Sequence, residues 1–60
     1  MEIVAIRTLV KPFDPNARPY YMYSYTHPTN NAVVDYGRSY KEMERAILKA
    51  FPQASVVKSW

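Results

Sequence analysis

The stretch Glu2 to Lys11, EIVAIRTLVK, is an almost unbroken run of aliphatic and β-branched residues, long enough for a strand. Alternation puts Val4, Ile6 and Val10 on one face and Ile3, Ala5 and Leu9 on the other, where Arg7 interrupts them. Lys11 to Pro19 holds three prolines. Each fixes φ and removes a backbone donor, so this stretch reads as a loop. Pro12 and Pro15 have the spacing of a PxxP ligand, but a rigid connection between two strands is the simpler reading.

Tyr20 to His27, YYMYSYTH, is rich in residues that suit a pleated surface and predicts a second strand. Pro28 to Asn31 is a turn, since asparagine tolerates positive φ and bonds its own backbone. Ala32 to Tyr36 is then a third strand, antiparallel to the second. Strand geometry gives Tyr21, Tyr23, Tyr25 and His27 one face, and Tyr20, Met22, Ser24 and Thr26 the other. A two-residue turn at Asn30-Asn31, or a four-residue loop from Pro28 to Asn31, pairs odd positions with even ones. Val34 and Tyr36 then stand beside the odd tyrosines, and Ser24, Thr26 and Asp35 share the opposite side. On this reading the tyrosine stripe is the core side of a one-sided sheet, with its hydroxyls reaching the rim. A loop of three or five residues would reverse the parity and leave an exposed aromatic patch that needs a partner.

Ser39-Tyr-Lys-Glu42 has the pattern of a capping box, which predicts a helix starting there. Tyr40, Met43, Ile47, Ala50 and Phe51 recur at helical spacing and form its apolar face, and Pro52 stops it. Ser55 to Trp60 reads as a short final strand. The expected fold is α+β, one domain over residues 1–60, with an antiparallel sheet and one helix packed on one face in the order β-β-β-α-β. The run DYGRSYKEMERAI, from strand through a Gly-x-Ser turn into a capped helix, resembles the corresponding part of HicB-type antitoxins. That resemblance spans about a fifth of the chain and implies the β-β-β-α-β order of a truncated RNase-H-like arrangement.

Composition narrows the function. Sixty residues allow one small core, and folding at this size removes only about 60% of the unfolded chain's surface from water. The absence of cysteine excludes a disulfide scaffold and a thiolate zinc site. Stability must therefore come from a tight aromatic core or from burial against a partner, including another copy of the chain. The longest aliphatic run, Ile3 to Ile6, falls far short of the roughly 20 residues of a membrane span. A soluble, cytoplasmic protein with no membrane association is expected. A net charge of +3 leans modestly toward anionic partners.

The residues offer little for catalysis. His27 is the only histidine, and no serine or cysteine nucleophile is placed to use it, even if Asp35 lies across the hairpin. Glu42 and Glu44 point in different directions on a helix, and the single glycine, Gly37, rules out a glycine-rich phosphate loop. No catalytic residue, metal site, cofactor or small-molecule substrate is expected. The helix carries a clearer signal: Lys41, Arg45 and Lys49 fall at i, i+4 and i+8, a basic ridge opposite the apolar face, with Arg38 just before it. A solvated face is the plain explanation of that ridge, and an anion-binding surface the functional one.

The sequence therefore favours a small non-enzymatic protein that regulates or blocks a protein partner, itself acidic in the simplest case, through one modest aromatic and basic interface. Tyr20, Met22, Arg45, Lys49 and Trp60 are the expected contacts. The alternative is single-stranded nucleic-acid binding, with bases stacked on Tyr21, Tyr23 and Tyr25 and phosphates held by Arg38, Lys41, Arg45 and Lys49. A homodimer is compatible with both.

Overall fold

The computed structural model describes all 60 residues. Its elements are β1 (Glu2–Val10), β2 (Tyr20–Thr26), β3 (Val33–Gly37), α1 (Tyr40–Ala50) and β4 (Ser55–Lys58). The four strands form one sheet in the order β3-β2-β1-β4. β1 and β2 pair antiparallel from Ala5↔Tyr25 to Val10↔Tyr20, and β3 adds antiparallel to β2. β4 runs parallel to β1, from Glu2↔Ser55 to Ala5↔Lys58. The sheet is thus mixed, for a topological reason. α1 carries the chain from one edge to the other, and such a helical crossover returns the next strand in the same direction as the last.

The turn between β2 and β3 settles the parity of the tyrosines. The His27 amide donates to the Ala32 carbonyl at 2.8 Å and the Asn31 amide to the His27 carbonyl at 2.9 Å, closing the four-residue loop Pro28–Asn31. Asn31 takes a left-handed φ of 59°, a conformation asparagine tolerates better than most residues. Tyr25 is then opposite Val34 and Ser24 opposite Asp35, as that loop length requires. The register slips between Tyr23 and Ser24, because Tyr23 pairs with Gly37. Tyr36 is therefore the extra residue of a bulge with no residue opposite, and is 44% exposed rather than part of the tyrosine-side packing.

Ser39 caps α1, its hydroxyl accepting from the Glu42 amide at 3.3 Å. Only that half of the capping box is made. Met43 and Ile47 are fully buried against Ile3 and Ala5 of β1, and these four residues are the core. Tyr23, Tyr25, Tyr40, Phe51, Ala54 and Val56 pack around it, so the odd tyrosines of β2 do face the helix. Ala50 is exposed instead, because it lies in the last turn beside Met1, Phe51 and Pro52 at the helix end. β1 and β2 run on past α1 and β4 as a two-stranded arm, since β4 pairs only with Glu2–Ala5 of β1. The loop at its end exposes the Phe13 ring completely. The molecule measures 42 × 19 × 17 Å.

Candidate interaction surface

β4 is short, but its alternation is consequential. Val56 lies opposite Ile3 and Lys58 opposite Ala5, so both share the helix-side face with the core. Trp60 follows Lys58 by two positions and returns to the same side. Its ring lies 5.4 Å from Tyr40, at 88°, and 5.7 Å from Tyr23. Tyr23 and Tyr40 are themselves 5.8 Å apart. One residue from β2, one from α1 and one beyond β4 thus form a closed triangle of rings in the edge-on and tilted geometries that aromatic quadrupoles favour.

Cations flank the triangle. The Arg7 guanidinium lies 5.3 Å from the Trp60 ring and 4.4 Å from Tyr21, and Lys58 Nζ lies 4.8 Å from Tyr40 and 5.7 Å from Trp60. At exposed sites each such contact is worth about 0.5–1 kcal/mol. Arg7, which broke the apolar pattern of β1, sits where the sheet leaves the helix, so its charge meets ring faces and water instead of the core. Beside the triangle an open hollow of about 380 Å³ is lined by Tyr40, Lys41, Glu44, Arg45 and Lys58. Three cations and one carboxylate thus share its walls. The Tyr40 phenol holds its proton more tightly than usual, first because of burial, then through hydrogen bonding to Glu44 and the charge of that carboxylate.

The expected contacts divide between two surfaces. Trp60 stands on the helix side, and Lys41 and Arg45 line the hollow next to Tyr40 with Lys49 exposed one turn further on. Tyr20 and Met22 lie on the opposite face of the sheet, because they alternate with Tyr21 and Tyr23. A single modest interface cannot contain all five. Arg38 also leaves the ridge assigned to it, its guanidinium stacking 3.6 Å over the Tyr20 ring on that opposite face. Arg38 lies in the bend between β3 and α1, so it does not continue the helical row. Tyr23 and Tyr25 are partly buried, leaving Tyr21, 40% exposed, as the one ring of the stripe open to solvent.

Sequence reasoning passed over Arg7, Lys58 and Tyr40 as members of one surface. The alternation of Val56, Lys58 and Trp60 could have shown two of the participants side by side. What it could not show was that β4 pairs with β1, which brings Lys58 and Arg7 onto the same cluster. His27 is not joined to Asp35, since the two fall on opposite faces. Its ring meets Phe51 edge-on at 5.5 Å, and its Nδ1 accepts from the Thr29 amide at 3.2 Å. No group of three or more histidine, aspartate or glutamate side chains comes together as a cation cage would need. No helix is long and apolar enough to cross a membrane.

No family model matches the chain, and no curated protein or solved structure matches it. The resemblance to HicB-type antitoxins read from the sequence finds no support in these comparisons.

Proposed function

We propose that this chain is a small non-enzymatic binding protein that regulates or blocks an acidic protein partner. The partner would seat on the helix-side surface formed by Trp60, Tyr40, Lys41, Arg45 and Lys58, with Arg7 and Lys49 at its margins. The observation carrying this reading is the convergence of Lys41, Arg45 and Lys58 on a hollow with one carboxylate, next to three packed rings. Tryptophan, tyrosine and arginine are the residue types that anchor protein interfaces, and charges around such an anchor set association rate and partner choice. The rings are packed against one another and flanked by cations, which suits a fixed protein surface better than insertion of bases.

The same cations interleaved with rings give single-stranded nucleic acid as the second reading, and salt dependence separates the two. If Arg7, Lys41, Arg45 and Lys58 neutralised phosphates, the log–log salt slope would be about −0.7 per contact and near −3 for all of them. On the protein-partner reading, a mixed-sequence single strand binds weakly or not at all at about 150 mM salt. Sub-micromolar binding under that condition, lost in Lys41→Ala with Arg45→Ala, would reverse the assignment.

A further inference from the structure

The sheet face that α1 does not cover carries an apolar strip among the polar residues Thr8, Ser24, Thr26 and Asp35. Val4, Ile6 and Val10 of β1, Met22 of β2, Val33 of β3 and Val57 of β4 all alternate onto it. Val4, Val33 and Val57 are 37%, 60% and 41% exposed. β1 is an interior strand with apolar side chains on both faces, a pattern belonging to sheets covered on both sides. α1 supplies one cover and nothing in the chain supplies the other.

The dimensions carry the same message. The accessible surface is 4691 Å², against about 4,000 Å² for a compact monomer of this mass. The radius of gyration is 12.8 Å, against about 10 Å for a compact domain of this length. The surplus area, roughly 600–700 Å², is shared between the two-stranded arm and the open face, and approaches the roughly 800 Å² per partner of a standard stable interface. Only four apolar residues are fully buried in the core, and chains this small commonly complete their cores by oligomerising.

We infer that the open face of the sheet is a self-association surface, on which a second copy of this chain packs face to face across a two-fold axis. Charge selects the second copy. The chain carries a net +3, yet Arg7, Lys41, Arg45 and Lys58 all belong to the helix side. The open face holds Glu2, Asp35 and Arg38 and is close to neutral, so two copies can meet there without opposing their basic surfaces. The helix-side surface of each copy stays free, and this inference stands or falls separately from the acidic partner proposed for it.

The test is sedimentation equilibrium of the full chain from micromolar to hundred-micromolar concentration, on wild type, Met22→Lys and Val57→Lys. Wild type should sediment at twice the 7.0 kDa monomer mass. Each lysine should raise the dissociation constant at least about a hundredfold, because it takes an unpaired charge out of water. Unchanged far-ultraviolet circular dichroism in the variants should accompany this. A soluble paramagnetic probe gives a reading on wild type alone. The Met22 and Val57 methyl signals should be shielded at high concentration and broadened on dilution, while those of exposed Leu48 on α1 are broadened throughout. A monomer at every concentration, a dimer unaffected by both lysines, or Met22 broadened as readily as Leu48 would each overturn the inference.

Discussion

Trp60 and Tyr40 meet edge to face, ring centroids 5.4 Å apart and planes at 88°. The contact ties the chain beyond β4 to the first residue of α1, and Tyr23 completes it from β2. Three elements distant in sequence thus converge on one point of the helix-side surface. Trp60→Ala removes two ring pairs and two cation contacts, and should cost about 1–3 kcal/mol. Trp60→Phe should restore most of it. Urea unfolding followed by circular dichroism measures both, and a neutral Trp60→Ala would mean that the ring triangle contributes nothing to the fold.

Tyr40 gives a pH signature. Its phenol pKa lies above the ordinary 10.0, through burial first and Glu44 second. Below that pH both folded and unfolded chains carry the neutral phenol. Above it the unfolded chain ionises first, so the folded state loses stability as pH rises through the raised pKa. Tyr40→Phe should flatten the alkaline decline relative to wild type. Glu44→Gln should lower the Tyr40 pKa part of the way back, read by phenolate absorbance. An identical alkaline decline in wild type and Tyr40→Phe would contradict the assignment.

Much of this arrangement was legible in the sequence. Alternation, prolines and the Ser39 cap located all five elements to within a residue or two, because those signals act over a few neighbouring positions. A two-residue turn and a four-residue loop both put Val34 beside the odd tyrosines, and the apolar content of that face then sets it against the helix. The bulge at Tyr36 was not legible, because a ladder slip depends on the partner strand. Nor was the parallel pairing of β4 with β1, which joins residues more than fifty positions apart. The interaction surface inherits that difficulty: Lys41 and Arg45 could be placed together on a helix, while Arg7 and Lys58 reach them only through the sheet.

Gly37 is the one glycine and sits at the end of β3, beside the bulge. Its φ is not positive, and a Cβ there would meet nothing within 4 Å. Gly37→Ala should therefore raise stability by about 0.4–1 kcal/mol, by reducing the freedom of the unfolded chain. A loss of stability in urea unfolding would show that the bulge needs a backbone conformation that alanine resists.

The central claim, that the helix-side surface takes an acidic protein, is tested most directly by quantitative affinity capture from extract of the native host, with and without nuclease treatment. Wild type would be compared with Lys41→Ala plus Arg45→Ala, and the captured proteins identified by mass spectrometry. The account predicts an acidic protein enriched by wild type, lost by the double variant, and indifferent to nuclease. Capture that survives the double variant, or that disappears when nucleic acid is digested, would contradict it.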